Sequence, residues 1–154
     1  MDRLEVVSDP AMDRVRARRM TLRSSMSALE GALAVPAGDS VDRWQAEVRR
    51  TTADLRDCLR QHVAETEGPG GFHAEVLAAA PRLSHAVSRS VAEHGDLTEQ
   101  ADTLAASVET VGSRDDVAAV RELGTTLISQ VIRHRQRGAD LIYEAYEYDI
   151  GGED

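Results

Sequence analysis

Cysteine is nearly absent: Cys58 stands alone in 154 residues. This excludes an intrachain disulfide and a thiolate metal cluster, and makes a reducing cytoplasm the natural setting. Lysine and asparagine are missing, and all 18 basic residues are arginine, a bias read here as codon usage. Aromatic residues make up only 3% of the chain, so its core must be built from Leu, Val, Ile, Met and Ala, a palette that suits helices better than sheets. No window offers about 18 uninterrupted apolar residues, which leaves no candidate membrane span. The opening MDRLEVVSDP has no basic stretch followed by an apolar one, so no secretion signal is expected. Positive charge is in deficit, 18 residues against 27 acidic ones, for a net charge of −9. That balance argues against nucleic acid as a partner. The arginines between Arg14 and Arg23 read as a solvated helix face.

What is present is periodicity. The length suits one domain over residues 1–154, with a short lead-in at 1–8. Asp9 and Pro10 make a good helix start, and a first helix is expected from about Pro10 to Val35. Its stripe is Met12, Val15, Leu22, Met26, Leu29 and Leu33, with Arg19 in an apolar slot. Pro36, Ala37 and Gly38 stop it. Asp39 and Ser40 can cap a second helix reaching about Thr66. Its stripe is Val41, Trp44, Val48, Thr51, Leu55, Cys58, His62 and Glu65. After the glycine-rich stop at 68–71, a short helical segment from Phe72 to Ala79 is expected to lie across the bundle end. Pro81 opens a third long helix to about Val111, striped by Leu83, Val87, Ser90, His94, Leu97, Ala101, Leu104 and Val108. Ser113 with Asp116 is a capping box for a fourth. That helix carries Val117, Val120, Gly124, Leu127, Val131, His134, Gly138, Leu141, Ala145 and Tyr148, and ends at Gly151 and Gly152. No strand pattern occurs. The expected fold is all-α, an antiparallel up-down-up-down four-helix bundle. Val48, Leu55, Val87, Leu97, Leu104, Leu127, Val131 and Leu141 are expected to be buried together.

Three of the five histidines sit on stripes: His62, His94 and His134. Counted along their helices, they fall within roughly 10 Å of one level. Imidazoles with a carboxylate form a common site for iron, zinc or another divalent ion. Glu65, one turn from His62 on the same face, is the expected carboxylate; Glu67, five residues on, points elsewhere. His73 and His85 read as surface or boundary residues.

The segments HVAETEGPGGF, APRLSHAV with VAEH, and HRQRGADLIYEAYEYDIGGED resemble the hemerythrin-like (HHE cation-binding) family, in particular an actinobacterial-type branch. The resemblance spans about residues 40–154. It implies a four-helix bundle holding two irons through histidines and carboxylates of all four helices, with members that bind oxygen or serve nitric oxide, redox or iron chemistry. The departures are specific. The first helix has no histidine, the third has Ser90 and His94 where the family has a histidine pair, Thr66 stands where a Glu follows the second-helix histidine, and Gly138 stands one turn after His134. Only His62, His94 and His134 carry over. Arg19, whose guanidinium repels a cation, would pair more naturally with Glu65.

Two functions follow. One is a non-heme metal protein holding a single iron or zinc ion among His62, Glu65, His94 and His134, with an open position for a small diatomic ligand and a role in small-ligand or redox sensing. The alternative is a metal-free bundle acting as a protein-interaction module through its tyrosine-rich end, Tyr143, Tyr146 and Tyr148. Against a contact role stands the plainer reading, favoured here, in which Tyr148 packs inward and Tyr143 and Tyr146 only cover the bundle end. No Ser-His-Asp or Cys-His arrangement and no phosphate loop occurs, so an enzyme is not expected.

Overall fold

The structure, a computed structural model, describes residues 10–147, with side chains from 22 to 146. The expectations for the lead-in, for Met12, Val15, Arg19 and Tyr148, and for the Gly151–Gly152 stop lie outside those limits. The described residues form five α-helices: α1 (Pro10–Ala34), α2 (Val41–Glu67), α3 (Phe72–Ala79), α4 (Ser84–Glu109) and α5 (Arg114–Glu147). There is no strand among the described residues. Pro81 opens a single 3-10 turn, Pro81–Leu83, and α4 proper begins after it, a few residues later than the proline suggested. No described helix is long and apolar enough to cross a membrane.

The helix starts are set by local chemistry. Ser40 Oγ accepts the Arg43 N–H at 3.4 Å, and Asp42 sits in the first turn of α2, where the helix dipole favours an anion. Before α5 the capping box closes in both directions. Asp116 N–H donates to Ser113 Oγ at 3.2 Å, and Asp116 Oδ2 accepts the N–H groups of Gly112 and Ser113 at 2.9 and 3.0 Å. The reversal after α2 depends on glycine. Gly70 takes φ +70, and a Cβ on Gly71 would run into the carbonyl oxygens of Glu65 and Thr66. This tight reversal lays α3 against α2, α4 and α5.

The four long helices form a ring of contacts: α1 on α2, α2 on α4, α4 on α5, α5 on α1. Arg49 meets Glu109 at 2.6 Å and Arg56 meets Asp102 at 2.7 Å across the α2–α4 seam. Gly124 lets α5 approach α1 closely, since a Cβ there would strike the Leu33 side chain.

All eight residues expected in the core are buried, but they do not pack together. Val48, Leu55, Leu97, Leu104, Leu127 and Val131 belong to a large cluster with Leu29 and Leu59. Val87 and Leu141 belong to a smaller one with Val76, Ala80 and Ala145, built where α3 closes the end of the bundle. The histidine level divides the two: along α4 His94 falls between Val87 and Leu97, and along α5 His134 falls between Leu141 and Val131. A polar layer interrupts an apolar core, and polar groups at such a level must find partners there.

Candidate functional site

His62 from α2, His94 from α4 and His134 from α5 come together in that layer, each offering a ring nitrogen within 4.8 Å of the other two. His94 and His134 are buried and His62 partly so. The Nε2 atoms of His94 and His134 lie 3.0 Å apart, and those of His62 and His134 3.3 Å. Ring centroids fall 4.6 to 5.4 Å apart with edges turned to faces.

Two carboxylates behind the rings decide which nitrogen carries the proton. His94 Nδ1 meets Glu67 Oε1 at 2.7 Å, and His134 Nδ1 meets Glu93 Oε2 at 2.7 Å. An ionised carboxylate only accepts, so both Nδ1 atoms must be the N–H donors. Glu93 is held further by Arg137, whose Nη1 donates to its other oxygen at 2.6 Å. Burial pushes the Glu93 carboxyl up, but the hydrogen bonds from His134 and Arg137 and the Arg137 charge outweigh it, and its pKa ends below the ordinary value.

The Nε2 atoms are therefore the free lone pairs of these rings. Burial, reinforced by the neighbouring imidazoles, pushes His62 down to about 4. Burial also lowers His94, against the opposing pull of its bond to Glu67. In its neutral form His94 thus turns a bare Nε2 toward that of His134. Two bare ring nitrogens 3.0 Å apart repel, so this spacing calls for a proton on one of them or a metal cation between them.

The donor set fits a metal ion. Nitrogen ligands about 2.0–2.1 Å from a tetrahedral zinc are separated by roughly 3.3 Å, close to the spacings seen here. A carboxylate on the far nitrogen of a ligating histidine is the common supporting arrangement, fixing tautomer and ring plane. His62, His94 and His134 would hold such an ion through Nε2, three donors for a shell of four.

Two expectations need correction, and a third residue went unread. Glu67, expected to point elsewhere, is the acid of α2 that meets a cluster histidine. Glu65 is exposed and lies outside the set of converging ligand atoms. Phase along α2 argued for Glu65, but Glu67 is the last residue of the helix and its side chain bends across to α4. His73 is no surface residue. It is buried at 5% exposure, its Nε2 is 3.0 Å from Ser90 Oγ, and its ring stacks on His94 with centroids 5.6 Å apart and planes 12° apart. Burial is the main cause that lowers its pKa. The third is Glu93, which precedes His94 in sequence and was not singled out. A residue beside a buried one faces the helix flank, from which a long carboxylate side chain can reach a neighbouring helix. That register signal was available. Thr66 is buried and bonds back to the His62 carbonyl at 2.7 Å. His85 is exposed.

Two clefts lead to this layer. One, of about 760 Å³, is lined by Glu67, Val91, His94, Gly95 and Thr98. The other, of about 400 Å³, is lined by Ser90, Glu93, Arg137, Gly138 and Leu141. Each passes one of the two supporting acids. The chain matches no family model, no curated protein and no solved structure.

Proposed function

We propose that this protein is a hemerythrin-like bundle that binds one divalent metal ion, iron or zinc, through His62, His94 and His134. The single observation behind the reading is the convergence of Nε2 lone pairs whose opposite nitrogens are committed to Glu67 and Glu93. A bound ion would supply a Lewis-acidic centre with an open position, suited to a small diatomic ligand and to redox or small-ligand sensing. Donor number favours one ion over two, since the described side chains offer three converging imidazoles, a fourth, His73, directed to Ser90, and two acids engaged on Nδ1 atoms. The up-down-up-down antiparallel course is supported by the seam partners. As numbering rises through Arg49, Arg56 and Glu67 on α2, it falls through Glu109, Asp102 and His94 on α4. We infer a reducing cytoplasm as the setting and assign no catalytic step. A second reading, a metal-free interaction module, draws on the exposed Tyr143 and Tyr146.

Metal titration of chelator-stripped protein separates the two. Zinc or cobalt(II) should bind one per chain by calorimetry, and His94→Ala should abolish it. Glu93→Gln should keep the fold and weaken binding about 10- to 100-fold, because it removes the acceptor that fixes the His134 tautomer. No saturable binding by the parent protein, or two ions per chain, would overturn the single-ion reading.

A further inference from the structure

The cap helix α3 buries two side chains against the bundle, Val76 and His73. Val76 is fully buried in the smaller apolar cluster, and its burial favours docking. His73 is buried as well, and an imidazole taken out of water costs free energy unless it is bonded. Its side-chain partner among the described residues is Ser90, Nε2 to Oγ at 3.0 Å. An apolar residue would close the bundle end without that requirement. What the polar ring touches is His94: the two faces overlap with centroids 5.6 Å apart and planes 12° apart. That is an offset stack, inside the range aromatic pairs adopt.

His94 is the ring that needs such support. The torsion that turns an imidazole about its Cβ–Cγ bond is soft. A single hydrogen bond at Nδ1 fixes one point of the ring and leaves it a swivel about that bond. His134 is held more firmly, because its acid, Glu93, is itself held by Arg137 at 2.6 Å. The acid behind His94 is Glu67, the last residue of α2, with Gly68 after it. Among the described residues Glu67 has no second partner to match Arg137. The face of His73 supplies the missing constraint. It stops the swivel and keeps His94 Nε2 aimed at His134 Nε2, 3.0 Å away. His73 is not a further donor in this arrangement. Rings that share an ion lie in planes that meet at it, whereas stacked parallel planes do not meet, and the ring nitrogens that converge are those of His62, His94 and His134.

We propose that His73 is a positioning residue for His94, clamped between that ring and Ser90, so that docking of α3 sets the affinity of the metal site. The effect on affinity rests on the metal reading above; the ordering of the His94 ring does not. Cobalt(II) titration of the chelator-stripped full chain reads the first. His73→Leu keeps an apolar side chain under α3 and should weaken cobalt binding about 10-fold or more, the usual size of a lost supporting contact. The d–d band shape should stay that of the parent protein, because the donors are unchanged. His73→Phe restores a flat face that needs no hydrogen bond, and should bind nearly as the parent does. Ser90→Ala leaves a buried imidazole without its partner, so the ring turns away and affinity falls as in His73→Leu. Ring-nitrogen NMR of the metal-free protein reads the second. The His94 Nδ1–H should give a sharp, slowly exchanging signal in the parent and in His73→Phe, and a broadened one in His73→Leu, while amide exchange in α3 stays slow in all three. Cobalt affinity within about twofold of the parent in both His73→Leu and Ser90→Ala would overturn the proposal, since a supporting contact is worth more. An altered band shape in His73→Leu would overturn it too, by making His73 a ligand. A parent protein that binds no cobalt removes the metal reading and the claim on affinity together; an equally sharp His94 signal in His73→Leu removes the positioning role whether or not cobalt binds.

Discussion

His62 has an ordinary pKa of 6.5 and is pushed to about 4 in the fold, first by burial and then by the nearby His94 and His134 rings. The unfolded chain therefore takes up a proton before the folded one does. Stability from this group is complete above about pH 6.5 and is lost as pH falls from there toward 4. His94 and His73 move in the same direction, so their effects add. The chelator-stripped protein should melt at a clearly lower temperature at about pH 5 than at about pH 7.5. A melting temperature that holds or rises on acidification would show that the three rings are not buried as neutral groups.

Among the elements, α3 depends most on a single residue. It is eight residues long and too short to hold its helical form without packing. Its docking starts at Gly71, where no Cβ can fit beside the carbonyls of Glu65 and Thr66. Docking places Val76 in the smaller core and His73 against His94. Gly71→Ala should force this reversal open and cost about 1–3 kcal/mol by urea denaturation. The same change should speed amide exchange in α3 while leaving the α1–α2 seam as it was. Unchanged exchange in α3 would place the anchor elsewhere, in Val76 and Ala80.

At the scale of the whole molecule, the polar layer joins two apolar clusters of unequal size. Leu97, 4% exposed, lies in the larger cluster one turn from His94. Leu97→Ala should cost on the order of 2–5 kcal/mol by denaturant titration. A near-wild-type midpoint would mean that the cavity collapses without loss and that the layer carries little of the packing. The identity and order of the long helices, the glycine and proline stops after the first three of them, the capping box and the three inward histidines were legible in the sequence. Each depends on residues three or four apart, and helical phase is a local property. Apart from Glu93, whose register signal was available, the partners behind the three histidines were not legible. Whether Glu65 or Glu67 reaches an imidazole depends on where α2 ends and how far α4 stands from it. His73 became a buried partner only because two glycines turned α3 back over the bundle. The division of the core likewise arose from where α3 docked. Periodicity along one helix determined which residues face inward; distances between helices, which no single helix encodes, decided which of them touch.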